Sequence, residues 1–231
     1  MTARSGQTTE RGKTRVFLVD DHPIVRQGIG MLIAQQGDMV VCGESDIAPE
    51  ALRLMKEAAP DVLVVDLALK GSTGLDLIKD VRIRYPHVLM LVYSMRDESF
   101  YAERVLRAGA RGYITKEEGG RAVIEGIRKV LTGQIFLSDK MASKMIGMLI
   151  GGAGRPARPS IDSLTDRELE IFELIGQGQP MREIAAKLHI SPKTVESYRE
   201  HIKQKLKLDN AAELLKHAIE WVQRPGTGEG I

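Results

Sequence analysis

The stretch "VVDLALKGSTGL", residues 64–75, decides how the first half of this sequence folds. Val62, Leu63, Val64 and Val65 make a continuous apolar run, and the run ends on a carboxylate, Asp66. A loop bearing Gly71 and Gly74 follows at once. A short apolar run that stops at such a loop reads as a strand buried on both faces. An isolated carboxylate is costly to bury, so one at the end of this strand needs a partner, a metal or a chemical task.

Outward from this strand, the same alternation of apolar run and amphipathic stretch occurs five times. "RVFLVDD" precedes "HPIVRQGIGMLIAQQ", whose Ile24, Val25, Ile29, Leu32 and Ile33 recur at helical spacing. "MVVCGE" precedes "PEALRLMKEAA", where Pro49 suits a first helical turn. "DVLVVD" precedes "GLDLIKDVRIRY", "VLMLVYS" precedes "ESFYAERVLRAG", and "ARGYIT" precedes "EGGRAVIEGIRKVL". The pattern predicts an α/β domain: a five-stranded, doubly wound parallel sheet of flavodoxin-like size. Ligands of such sheets sit beyond the carboxyl ends of the strands. Asp20 and Asp21 end the first strand, Asp66 the third and Ser94 the fourth, and Lys116 follows the fifth. All are thus expected at one edge of the sheet.

A second style begins after "GGAGRPARPS", residues 151–160, which reads as a flexible linker. Before it, "DKMASKMIGMLI" reads as a short helix leading out of the first domain. From Leu164 to Val222 no strand pattern appears. Thr165 and Glu168 form a capping box, and two helices are split by a turn at His189–Ser191. Ser191 or Pro192 begins the second of these helices, and "NAAELLKHAIEWVQ" is the last. Two helices joined by a tight turn within a four-helix domain are a helix-turn-helix arrangement. The expected organisation is a disordered tail over 1–13, an α/β domain over 14–132 and a partly helical linker over 133–162. A helix-turn-helix domain over 163–223 and a second tail over 224–231 follow.

Composition excludes several classes. The 231 residues carry 28% charged and 43% hydrophobic side chains, an ordinary balance for a water-soluble fold. The net charge of +2 means that any nucleic-acid surface is local rather than global. Cys42 is the one cysteine, so there is no internal disulfide, and a reduced, cytoplasmic setting is expected. No run of about 18 apolar residues predicts a membrane span. The start, "MTARSGQTTERGK", lacks the apolar core of a signal peptide.

Asp20, Asp21 and Asp66 at one sheet edge would repel one another unless a cation sat among them. Hard oxygen ligands, with no His or Cys expected nearby, favour Mg²⁺. A carboxylate beside that ion can take a phosphoryl group as an aspartyl phosphate, and Asp66 is placed for the task. Lys116 can neutralise a phosphoryl oxygen, and the Ser94 hydroxyl can donate to another.

These residues carry a family resemblance. The pair Asp20–Asp21 with Asp66, Ser94 and Lys116 resembles the receiver domain of bacterial two-component response regulators, and Tyr113 in "RGYITK" matches its aromatic switch position. "LTDRELEIFELIGQG" and "IAAKLHISPKTVESYREHIKQKL" look like the LuxR-type helix-turn-helix of the NarL/FixJ group. The resemblance spans about residues 14–222. It implies that Asp66 accepts phosphate from a partner histidine kinase. Mg²⁺ would be held by Asp21, Asp66 and the main-chain carbonyl of Ala68, with Asp20 ordering a metal-bound water. Ser94 and Tyr113 would swing inward after phosphorylation. Leu69–Lys70–Gly71 replaces the family's Met-Pro-Gly, and Glu117 replaces its proline after the lysine, so both loops depart from the common pattern.

On the second helix of the helix-turn-helix, Val195, Ile202, Leu206 and, at the flank, Tyr198 share one face. Lys193, Glu196, Ser197, Glu200, Gln204 and Lys207 point away from it. From Lys187 to Lys207, six Lys or Arg stand against two Glu, a local charge of +4. Such a surface can neutralise DNA phosphates and read base edges. By the resemblance, Glu196, Ser197 and Glu200 contact bases, and Lys193, Thr194, Arg199, Lys203 and Lys205 serve as phosphate or support contacts. In the last helix, Ala211, Ala212, Leu215, Ala218, Ile219 and Val222 suit either a packed core or a dimer seam.

The expected function is a transcription regulator that phosphorylation of Asp66 drives toward a promoter-binding homodimer, with at most slow self-dephosphorylation. Two alternatives stand beside it. An aspartate-nucleophile phosphatase would need an acid two residues after the nucleophile, where this chain has Ala68. A receiver that serves only for dimerisation would not need the complete acidic set.

Overall fold

The structure, a computed structural model, describes residues 12–150 and 161–223. Nearly all of the first expected tail, the centre of the linker and the second tail lie outside those residues. The chain divides into two compact units, with the division after Met145.

In the first unit the strands are β1 (Thr14–Val19), β2 (Met39–Ser45), β3 (Val62–Val65), β4 (Ala68–Leu69), β5 (Ser72–Thr73), β6 (Leu89–Ser94) and β7 (Gly112–Thr115). The helices are α1 (Pro23–Ala34), α2 (Ala48–Ala58), α3 (Gly74–Arg84), α4 (Glu98–Ala108) and α5 (Gly120–Leu131), and α6 (Asp139–Ile150) begins in this unit. The main sheet has five strands in the order β2-β1-β3-β6-β7, all parallel. β3 lies at its centre, and its four residues are all buried. That is why its sequence is apolar without alternation. On one face Val16, Leu18, Val62, Val64 and Leu91 pack against Ile29 and Ile33 of α1 and Val123 and Ile127 of α5. Each such side chain contributes about 1.5–3 kcal/mol when removed from water.

Three features depart from the sequence reading. Ile24 belongs to the spacing that suggested the α1 core face, yet it is 79% exposed. On a helical wheel it stands half a turn from Ile33, which faces the sheet. The loop after Asp66 contains a small antiparallel ladder, Ala68 against Thr73 and Leu69 against Ser72, turned by Lys70–Gly71. Third, the chain after α5 returns to the sheet. Phe136 forms a parallel bridge to Gly112, accepts from the Tyr113 amide (2.8 Å) and donates to the Arg111 carbonyl (2.9 Å). A Cβ on Gly112 would lie 2.7 Å from the Phe136 carbonyl oxygen, so this close approach requires glycine.

The second unit holds α7 (Asp166–Gly176), α8 (Met181–Lys187), α9 (Pro192–Leu206) and α10 (Ala211–Val222). The Thr165–Glu168 capping box opens α7, and Ser191 caps α9 with Pro192 in its first turn. Leu169, Phe172, Ile184, Val195, Ile202, Leu214 and Trp221 are all buried. Phe172 and Trp221 meet edge to face at 5.7 Å. No helix among the described residues is long and apolar enough to cross a membrane.

Candidate functional site

β3 delivers Asp66 to the carboxyl edge of the sheet, where its amide donates to the Val19 carbonyl at the end of β1 (2.8 Å). The residue is 3% exposed, and both carboxylate oxygens are engaged. Oδ1 accepts from the Ser94 hydroxyl (2.6 Å) and from the Ala68 amide (3.2 Å). Oδ2 accepts from Lys116 Nζ (2.6 Å). The same ammonium lies 2.7 Å from Asp20 Oδ2, so Lys116 bridges two buried carboxylates. Burial by itself lowers the pKa of that ammonium. Asp66 and Asp20 outweigh it, and the net value is raised above that of an ordinary lysine.

The backbone behind Asp66 is equally constrained. A Cβ on Gly74 would lie 2.0 Å from the Asp66 carbonyl oxygen, so only glycine lets the start of α3 pass there.

The side-chain donor atoms of Asp20, Asp21, His22 and Asp66 all lie within 4.8 Å of one another. Three carboxylates against one lysine leave an excess of negative charge. Asp21 Oδ1 is buried and accepts no hydrogen bond, although His22 Nδ1 lies 2.7 Å away. Three carboxylates gathered this closely fit a cation, and the predominantly oxygen donor set fits Mg²⁺. The expectation that no histidine is near is corrected here. The His22 amide donates to Asp20 Oδ1 (2.9 Å), and its Nδ1 lies 3.2 Å from the same oxygen. Adjacency to the acidic pair was the signal for it. Arg26 also went unnoticed; it donates to the Asp20 carbonyl (2.6 Å) and so fixes the turn after β1.

Ser94, the last residue of β6, is fully buried. Tyr113 on β7 is 1% exposed, and its hydroxyl donates to the Arg96 carbonyl (2.8 Å) in the loop after β6. Burial raises its pKa well above the usual tyrosine value, so the hydroxyl remains a donor. The structure therefore brings Asp20, Asp21, Asp66, Ser94 and Lys116 to one edge, with Tyr113 one loop away.

In the second unit, Val195 and Ile202 face the core of the domain. Lys193, Ser197, Glu200, Gln204 and Lys207 are exposed, as the wheel predicts, and Glu196 is half-buried. Thr194 and Ser191 share a hydroxyl contact (2.8 Å) at the N-terminus of α9, and the Ser197 hydroxyl donates to the Lys193 carbonyl (3.1 Å). Several charges are engaged within the domain: Arg199 with Glu196 (3.0 Å), Lys203 with Glu200 (2.8 Å) and Lys205 with Glu168 (2.5 Å). On α10, Leu214, Ala218 and Trp221 face the core. Ala211, Ala212, Leu215 and Val222 are exposed, and Ile219 is half-buried.

Comparison with known proteins agrees with both halves. Residues 16–128 match the family described as response regulator receiver domain, and residues 162–218 match that of bacterial regulatory proteins, luxR family. Oxygen regulatory protein NreC of Staphylococcus carnosus is 35% identical over 210 residues, covering 89% of this chain and 97% of that protein. The chain is a response regulator of the NarL/FixJ group. Among solved structures, a two-component response regulator of the LuxR family from Aurantimonas sp. SI85-9A1 is 33% identical with a TM-score of 0.55. It matches 60% of this response regulator and 99% of its own chain. RcsB of Salmonella enterica serovar Typhimurium, solved bound to a promoter with the phosphomimetic BeF3-, is 25% identical with a TM-score of 0.63. That match covers 90% of this chain and 99% of RcsB. The response regulator is thus a DNA-binding, phosphorylation-dependent regulator of transcription.

Proposed function

We propose that Asp66 is the phosphoacceptor and that a partner histidine kinase supplies the phosphoryl group. One observation carries this reading: Asp66 is buried with Ser94 on one carboxylate oxygen and Lys116 on the other, beside the carboxylates of Asp20 and Asp21. An Asp66 oxygen attacks phosphorus, the P–O bond forms, and the bond from phosphorus to the donor's imidazole nitrogen breaks. Lys116 stays close to the acceptor and faces the phosphoryl oxygens as charge develops on them. Asp21, Asp66 and the Ala68 carbonyl would hold Mg²⁺, with Asp20 beside them. When bound, the ion neutralises charge on the phosphoryl oxygens.

The product adds nearly two negative charges and new acceptor oxygens, to which the Ser94 hydroxyl and Lys116 can turn. Ala68, two residues past the acceptor, carries no acid to activate water, so self-dephosphorylation is slow. Phosphorylation promotes homodimerisation and promoter binding. Glu196, Ser197 and Glu200 contact bases, and Lys193, Thr194, Arg199 and Lys203 contact or support the DNA backbone. Lys205 supports from within the domain. In domain terms the receiver spans 14–132, the linker 133–162 and the helix-turn-helix 163–223. A regulator of promoters works beside the chromosome, which places it in the cytoplasm.

Intact mass and DNA-shift measurements, with and without acetyl phosphate and Mg²⁺, test this reading. Wild type gains one phosphoryl mass and binds a promoter fragment more tightly; Asp66→Asn does neither. A mass gain that survives in Asp66→Asn, or a wild type that responds to neither acetyl phosphate nor beryllofluoride, overturns it.

A further inference from the structure

We infer that Glu98 is a positioning residue of the phosphoryl switch: its carboxylate ties the N-terminus of α6 to the loop that follows Ser94 and carries Arg96. The inference rests on the reading of Asp66 as phosphoacceptor and extends it to the segment by which the chain leaves the receiver.

Only Met95, Arg96 and Asp97 separate Glu98 from Ser94, whose hydroxyl is on Asp66. Within this loop the Arg96 carbonyl accepts from Tyr113, and Asp97 caps α4 by accepting from the Ser99 amide (2.7 Å). The cap of α4 is thus supplied by Asp97, and Glu98 turns to another helix. Its Oε1 accepts from the Ser138 amide (2.9 Å), and its Oε2 accepts from the Ser138 hydroxyl. Ser138 itself caps α6, its hydroxyl oxygen accepting from the Met141 amide (3.2 Å). A carboxylate at a helix N-terminus meets both the helix dipole and an amide without a helical partner.

Two further contacts keep the pair in register. Lys144 Nζ, farther along α6, donates to the Ser99 carbonyl in the first turn of α4 (3.0 Å). Met141, in the first turn of α6, is 3% exposed. Tyr113 links the same two segments, its amide donating to the Phe136 carbonyl and its hydroxyl to the Arg96 carbonyl. A loop that follows Ser94 toward or away from the acceptor therefore carries Glu98 with it, and Glu98 holds or releases the start of α6. In the structure, Ser94 is on Asp66, Tyr113 is on Arg96 and Glu98 is on Ser138 together. Coupling of this kind is reciprocal: what fixes α6 favours the loop position that favours the phosphoryl group.

Hydrogen exchange read by mass spectrometry on the full chain, with and without beryllofluoride and Mg²⁺, tests the inference alongside a beryllofluoride titration. In wild type, beryllofluoride slows exchange in the loop after β6 and in α6. In Glu98→Ala the loop still responds, α6 does not, and beryllofluoride affinity falls about fivefold; Ser138→Ala, which loses the hydroxyl bond but keeps the amide bond to Glu98, shows a smaller loss of both. The double variant falls no further than Glu98→Ala alone. Glu98→Gln, which keeps an acceptor for the Ser138 amide, retains most of both responses. A merely structural contact would lower the melting temperature without changing these ligand-dependent differences. An α6 response that persists undiminished in Glu98→Ala, or a wild type whose loop responds while α6 does not, overturns the role of Glu98. A wild type with no beryllofluoride response anywhere overturns the phosphoacceptor reading beneath it.

Discussion

The Ser94 hydroxyl donates to Asp66 Oδ1 over 2.6 Å, and both residues are buried. A hydrogen bond to a charged group in such a place contributes about 1.5–3 kcal/mol. Ser94→Ala is expected to lower stability to urea by that amount. It also removes one donor to a phosphoryl oxygen, so beryllofluoride affinity falls in the same variant. A titration that gives wild-type affinity would show that Ser94 only stabilises the fold.

Lys116 lies between Asp20 and Asp66, each within 2.7 Å. Lys116→Met leaves two buried carboxylates without their cation and is expected to cost about 3–5 kcal/mol. The pKa of Lys116 is raised in the folded protein, the pull of the carboxylates exceeding the effect of burial. Its contribution is therefore complete below the unfolded lysine value, about pH 10.4, and is lost as pH rises through the folded value. Urea melts across this range show a decline in wild type that is absent from Lys116→Met.

Gly74 passes so close to Asp66 that a Cβ would sit 2.0 Å from its carbonyl oxygen. Neither partner is a flexible side chain, so relief requires the strand end or the helix to move. Gly74→Ala is expected to cost about 3 kcal/mol or more. Because the shift falls on the acceptor's own backbone, phosphorylation by acetyl phosphate slows in whatever fraction still folds.

Glu168 and Lys205 meet at 2.5 Å across α7 and α9. Burial raises the Glu168 pKa, but bonds from Lys205 and Thr165 outweigh it, and the net value is lowered. Stability from this group is present above the unfolded glutamate value, about pH 4.3, and is lost as pH falls through the lower folded value. Glu168→Gln removes that acid-side decline in the melting of the second unit. Lys205→Met lowers the melting temperature but changes the salt dependence of DNA binding less than Lys193→Ala does. A larger change for Lys205→Met would make it a direct phosphate contact.

Much of this molecule is legible in its sequence. β1, β3 and β6 are apolar runs because both sheet faces are covered, and the rule for parallel sheets brought Asp20, Asp66, Ser94 and Lys116 to one edge. Periodicity was less informative at Ile24, where one apolar residue among several faces water. It also missed Leu214 and Trp221, which face the core of the second unit together with Ala218, the one buried residue of α10 that it had named. Least readable were the partners of long charged side chains. Nothing local to Lys205 announces Glu168, and nothing local to Glu98 announces Ser138. Such choices depend on which helices the fold sets side by side, whereas local pattern reports only which side of a helix is apolar.

The bridge from Phe136 to Gly112 bears on where this receiver can be cut. β7 is the last strand of the sheet, and the Tyr113 amide on its outer side is taken up by Phe136. A fragment ended at Thr132 would lose that cover and present a bare strand edge to other molecules, inviting edge-to-edge aggregation. One ended after Met145 carries its own edge protection. The few residues beyond α5 thus keep the receiver from sticking to its own copies.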